Sequence, residues 1–270
     1  MENKKGISGS TLKMIAIVAM VIDHIGAAVL ARLLMVNGLG ELDQTNADAI
    51  MQWLSANGAL YWTYTVMRMI GRVAFPIFCF LLVEGFLHTH DLKKYAMRLG
   101  LFALLSEIPF DLAFSSKILE FNYQNVFFTL FIGLLTMIAY RAVEEKEEWN
   151  QALKVILYIL IVAAGMALAY FLKTDYAEKG VFCIMVLYIF RKKKMWQIIA
   201  GCASFIWETP ALFGFIPIAF YNGTRGWKMK YFFYIFYPAH LLICVIYIHD
   251  TCPFCIMSSL YFIFYQKLNR

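Results

Sequence analysis

Charge is what this sequence has least of. Acidic and basic residues make up 16% of 270 positions, against 61% hydrophobic. A soluble domain carries about 25% charged and about 45–50% apolar residues, so a water-soluble fold is excluded. The devices of nucleotide and hydrolytic chemistry are missing too. There is no Walker loop, G-x-S-x-G, H-E-x-x-H or dinucleotide fingerprint. A nucleotide-driven pump and a soluble-type hydrolase therefore lack support. No internal repeat is present, and no tract resembles a flexible linker. The first apolar run is too long for a signal peptide and has no small-residue cleavage site behind it, so it is expected to remain as a helix.

What is there is a series of apolar runs near the roughly 20 residues needed to cross a bilayer core of about 30 Å. They predict an all-α polytopic membrane protein with about ten transmembrane helices. The segments fall near 11–36, 60–88, 94–114, 124–142, 151–172, 176–190, 195–208, 209–222, 230–249 and 255–267. The seventh and eighth could instead form one re-entrant hairpin around Glu208-Thr-Pro210. Residues 1–10 read as a cytoplasmic N-terminal segment and 11–270 as a single membrane domain.

Basic residues cluster at Lys4-Lys5, Lys93-Lys94, Arg141 to Lys154, Arg191 to Lys194, Arg225 to Lys230 and Lys267 to Arg270. Alternate loops contain only Lys117 and Lys173, and 37–59 contains no cation. By the positive-inside rule the basic blocks and both termini are cytoplasmic, in a bacterial inner or plasma membrane. The net charge of +6 is thus an orientation signal, and no nucleic-acid partner is expected. Most of the six cysteines sit singly in apolar runs as small core hydrophobes. Cys252 and Cys255 form a lone C-x-x-C, weak as a metal signal, and no metal site is expected.

Ionisable side chains inside spans are costly and invite functional hypotheses. In TLKMIAIVAMVIDHIGAAVL, Lys13 and His24 are eleven residues apart, close to three helical turns, so they share a face about 16 Å apart. With Lys13 at the cytoplasmic edge, His24 hangs near the midplane, about 15 Å in. A histidine there should be neutral unless an anion partners it, and a neutral imidazole is a competent general base. A lysine at the edge suits a donor with an anionic head. Asp23 is turned by about 100° from His24 and should pair with a cation or donor on another helix.

Other polar groups form a second tier. Arg68 and Arg72 share a face, with Glu84 a few turns further on, as either an inter-helix ion network or a substrate contact. Pro76 is expected to kink this helix. Glu107 and Asp111 are neighbours on a third helix and should repel unless one is protonated or both meet arginines. Asn125 either caps a helix or holds substrate. In YFFYIFYPAHLL, Pro238 is expected to break the helix before His240, and Tyr237 and His240 are cavity candidates with Glu84 and Asp111. His88 and His90 read as a solvated pair.

The runs GRVAFPIFCFLLVEGF, SEIPFDLAF, NVFFTL and YNGTRG followed by KYFFYIFYPAHL resemble the TraX family, over about residues 11–248. That family takes its name from a conjugative-plasmid protein that acetylates the pilin amino terminus. TraX proteins in turn look distantly similar to the membrane acyltransferase-3 family, whose ten-span bundle carries a basic residue, ten intervening residues and a histidine in its first helix. Lys13 and His24 match that spacing, and Arg98 is the best match to a further arginine-rich motif.

The resemblance implies acyl transfer at His24, with Asp23 or Asn125 orienting the imidazole or the acceptor. Acetyl-CoA would be the donor, held through its phosphates by Lys13, Arg72, Arg98, Arg225 and Lys230. The acceptor would be a peptide amino terminus, a glycan or a lipid-linked group. A second reading is an ion- or proton-coupled transporter using the buried acids and His24.

Overall fold

The computed structural model describes residues 5–227 and 230–251. Those residues are helical, with no strand among them beyond isolated bridging pairs such as Ile7 with Tyr221. The helices are α1 (Gly9–Ile25), α2 (Ala31–Val36), α3 (Ala47–Gly71), α4 (Ala74–His88), α5 (Leu92–Ser115), α6 (Val126–Glu144), α7 (Gln151–Phe171), α8 (Ala177–Ile189), α9 (Lys194–Ser204), α10 (Phe215–Ala219) and α11 (Lys230–Thr251). A π-helical stretch, Gly26–Leu30, joins α1 to α2, and a 3-10 turn, Thr209–Gly214, precedes α10.

Side-chain caps set several helix starts. The Ser8 hydroxyl accepts from the Thr11 amide at the head of α1. Asn46 caps α3, Asp91 caps α5, Asn125 caps α6 and Asn150 caps α7, each accepting from an amide in the first turn.

The chain divides into two compact units. The first holds residues up to Ala16, Val73–Glu107 and Glu120–Met229. Here α6, α7 and α8 pack on one another, and α8 also packs on α4 and α9. The core is bulky, with Phe80, Phe86, Ile184, Leu187, Tyr188 and Phe205 fully buried. Gly165 of α7 lets α6 come close, because a Cβ there would run into Thr136. Elsewhere α7 exposes Val155, Ile156, Ile159 and Leu160, an apolar surface suited to lipid contact.

The second unit holds Ile17–Arg72, Ile108–Leu119 and α11. The π-helical stretch packs on α3 and α11, and α2 packs on α3. Gly71 gives the closest approach, since a Cβ there would collide with the Asp23 side chain. Arg32, 4% exposed, donates to the Ala113 carbonyl at 2.9 Å and to the Ser116 hydroxyl at 3.0 Å. It thereby satisfies an end-turn carbonyl of α5, where a cation is favoured by the helix dipole.

Among the described residues, four helical stretches are long and apolar enough to cross a membrane: Gly9–Val36, Ala47–His88, Val126–Glu144 and Gln151–Phe171. Several expectations change. Residues 47–59 are helix rather than loop, started by the Asn46 cap. The break in the second apolar segment falls at Arg72 and Val73, leaving Pro76 in the first turn of α4. That is where a missing amide hydrogen costs least. Pro238 does not break its helix, because α11 runs unbroken from Lys230 to Thr251. A proline removes one intrahelical bond, which surrounding helix can tolerate. Helix α9 has 11 residues and α10 has 5, so neither alone spans a core of about 30 Å. The segment expected at 255–267 and the Cys252/Cys255 pair lie outside the described residues.

Candidate functional site

The second unit brings two distant histidines together. His24, on the last turn of α1, places its Nδ1 2.7 Å from Nε2 of His240 on α11. Their planes differ by 8° with centroids 5.0 Å apart. That separation matches one N–N contact plus a ring radius at each end, so the rings meet edge to edge in one plane. His240 Nδ1 lies 2.9 Å from the Phe236 carbonyl one turn earlier. Aromatic edges complete the enclosure: Phe114 at 5.5 Å and Tyr237 at 5.8 Å, both nearly perpendicular to the His24 ring. His240 is 6% exposed and Tyr237 3%. His24 is half-buried as a residue, with its ring enclosed by these aromatic edges. The π-helical stretch begins at Gly26, two residues after His24, and such bulges are frequent at functional sites.

Asp23 is turned about 100° around the helix from His24. Its carboxylate accepts from Arg68 of α3 at 2.7 Å, in a pair whose side chains are 15% and 19% exposed. Arg68 therefore supplies the cation that Asp23 needs. Glu84, in the first unit, accepts from the Tyr221 hydroxyl. Arg72 ends α3, its amide donating to the Arg68 carbonyl. Asp111 is 1% exposed near the end of α5.

The side chain bonded to the His24 ring is His240. Asn125 works in the first unit. Its side-chain oxygen caps α6, and its amide donates to the Ala103 carbonyl at 2.8 Å and to the Glu107 carboxylate. This uses both the oxygen and the nitrogen of a fully buried amide and gives the Glu107 carboxylate one partner.

Lys13 is also in the first unit, on the early turns of α1, with Arg225 near enough for the two charges to interact. The Arg225 stretch folds back on the head of α1: Gly9 and Ser10 amides donate to Thr224 and Arg225 carbonyls, and the Trp227 amide donates to Ser10 Oγ. Arg98 has its Nε buried with no hydrogen-bond partner among the described residues. The Lys230 side chain lies outside them.

His88 Nδ1 donates to the Glu84 carbonyl at 2.8 Å. No cluster of three or more His, Cys, Asp or Glu among the described residues is placed to hold a metal.

Two features were beyond sequence reasoning. The His24–His240 contact joins positions 216 apart, and its only local signal was a histidine just after a proline. Arg32 was passed over, although a lone arginine within an apolar run was visible.

Residues 8–248 match the family described as TraX protein. The probable fimbrial assembly protein FimC, serogroup H1, of Dichelobacter nodosus is similar, with 26% identity over 270 residues covering 90% of this chain and 97% of that protein. No solved structure matches. With the family match running from the head of α1 through most of α11, this chain belongs to the TraX family.

Proposed function

We propose that the protein is an integral-membrane acyltransferase that moves an acetyl group from cytoplasmic acetyl-CoA to an amine or hydroxyl acceptor at the membrane. The single observation that carries this reading is the enclosed His24 ring bonded edge to edge by His240. A buried imidazole with one nitrogen engaged and the other open has the form of a general base. Helix α1 is continuous from Gly9 to Ile25, so the eleven-residue interval to Lys13 is a helical one.

In this reading the paired charges of Lys13 and Arg225 suit a phosphate-bearing head, and Arg98, Arg72 and Lys230 are further candidates. A neutral acceptor amine attacks the thioester carbonyl, forming the C–N bond while His24 takes a proton from the nitrogen. The C–S bond then breaks, and the thiolate leaves with that proton as the free thiol. No acyl-enzyme is needed.

The name of the Dichelobacter relative, a fimbrial assembly protein, supports a pilin-type subunit as acceptor, and in this reading the group acylated is a peptide amino terminus. A glycan or lipid-linked group would use the same chemistry. The setting is a bacterial cytoplasmic membrane, with lipids around the helices and with about ten membrane segments and cytoplasmic termini.

The test is acetyl transfer from labelled acetyl-CoA to an acceptor peptide in membranes containing the protein. His24→Ala is expected to abolish turnover, a loss of about 100-fold or more, with undiminished folded protein. Turnover equal to that of the parent removes His24 from the chemistry.

A further inference from the structure

The bonding around His24 defines which of its nitrogens can act. The Phe236 carbonyl only accepts, so His240 Nδ1 must carry the hydrogen between them. Among the described residues no carboxylate is bonded to either ring, and a second positive charge would lack a partner. A neutral His240 with hydrogen on Nδ1 has a bare Nε2. The 2.7 Å contact then needs its hydrogen from His24 Nδ1. His24 is thereby held with hydrogen on Nδ1 and a lone pair on Nε2, the reverse of the tautomer that a free imidazole side chain prefers.

We propose that His240 is a positioning residue for His24: it accepts the Nδ1 hydrogen, turns the ring into one plane and makes Nε2 the atom that takes the acceptor's proton. The inference deepens, and rests on, the reading of His24 as general base. When Nε2 takes that proton, the ring becomes an imidazolium still donating from Nδ1 to His240. That bond becomes charge-assisted and strengthens as charge develops. The gain belongs to the transition state, so loss of His240 lowers kcat and leaves the KM for acetyl-CoA unchanged. The support for His240 is local. Pro238 lies inside α11 two residues earlier, and the Phe236 ring stacks on His240 at 15° with centroids 5.4 Å apart.

Two measurements on the full chain in lipid nanodiscs test this. The first is nitrogen NMR of protein carrying 15N-histidine, with the His24 signals assigned by their loss in His24→Asn. The expected result is a hydrogen on Nδ1 and none on Nε2 in the parent, shifting toward an Nε2 hydrogen in His240→Phe. A parent His24 protonated on Nε2 overturns the proposal, whatever the activity. The second is acetyl transfer. His240→Phe is expected to lose about 10- to 100-fold in kcat, as for other groups that orient a reactive histidine. His240→Gln, whose side-chain oxygen can accept where Nε2 did, should recover at least about tenfold of that loss. A glutamine variant no better than the phenylalanine variant overturns the positioning role. The expected NMR pattern without any acetyl transfer leaves the tautomer assignment standing and removes the acyltransferase reading instead.

Discussion

At Asp23 the physics is that of a near-buried ion pair. Its bond to Arg68 spans 2.7 Å with both side chains mostly enclosed. Removing one partner of such a pair leaves the other charge desolvated, at a cost of roughly 3 kcal/mol, while replacing both by apolar groups is often close to neutral. Asp23→Leu is therefore expected to lower the melting temperature in detergent strongly, and Asp23→Leu with Arg68→Leu to recover most of the loss. If the double variant melts no higher than the single one, the pair is not what holds α1 to α3.

Lys13 makes a different prediction. Lys13→Ala should raise the KM for acetyl-CoA about tenfold or more while changing the acceptor requirement little, because the lost contact is with the donor's phosphates. An unchanged acetyl-CoA dependence refutes the phosphate-edge role. His24 and the need of Asp23 for a foreign cation were legible in the sequence, since both follow from the depth and angle of positions on one helix. That the cation is Arg68, and that His24 meets His240, was not legible. Those contacts depend on how α3 and α11 pack against α1, which no local spacing encodes.

Among the elements, α5 shows how a cap makes a helix start pH-sensitive. Asp91 accepts from the Lys94 amide at 2.9 Å and pairs with the Lys94 ammonium at 3.0 Å. These bonds, the amide first, hold its carboxyl below the ordinary value of 3.8. A carboxyl lowered in the folded state contributes stability that is fully present above its unfolded value and is lost as pH falls through the folded one. Amide exchange at Lys94 and Tyr95, corrected for its intrinsic rate, should accelerate in relative terms only below about pH 4. In Asp91→Asn, which keeps the cap without the charge, that acceleration should vanish. If the asparagine variant shows the same pH dependence, the carboxyl is not its source.

Elements differ in legibility for similar local reasons. Caps such as Asn125 could be read from the residue before an apolar run. The first half of α3 could not, because Asp48, Gln52 and Asn57 give it the polarity of a loop. The proline effects were misplaced for a simpler reason. A proline marks a missing hydrogen bond, and whether the helix yields there depends on its place in the turn.

For the whole molecule the open question is orientation, and the first unit supplies an argument that hydropathy cannot. Its hydrogen bonds tie chain turns into two separate groups. In one, Arg191 binds Glu144, linking the ends of α6 and α8. Lys194, at the start of α9, donates to the Ala219 and Tyr221 carbonyls just past α10. Ile7 pairs with Tyr221, and Tyr221 binds Glu84. In the other group, the Gln124 amide donates to Lys173 and the Asp175 amide to Gln124, joining the start of α6 to the end of α7. The Tyr176 and Trp207 rings meet beside them.

The Lys194 bonds have a further consequence. The short α9 and α10 form a hairpin that returns to the level from which it began, so its two basic flanks share a side whether or not the hairpin crosses the bilayer. The basic blocks at 141–154 and 191–194, with Arg225, adjoin the first group, whereas two lysines adjoin the second: Lys173, and Lys179 with its ammonium 4.8 Å from the Trp207 ring. By the positive-inside rule the first group is expected on the cytoplasmic side. In a variant lacking the native cysteines, Lys192→Cys should resist a membrane-impermeant maleimide applied to intact cells and react once the membrane is opened. Phe121→Cys, whose parent side chain is 75% exposed, should react in intact cells. Labelling of Lys192→Cys from outside reverses the orientation. It would also detach the proposed donor site from the cytoplasmic acetyl-CoA pool, because Arg225 belongs to the same end as Lys194.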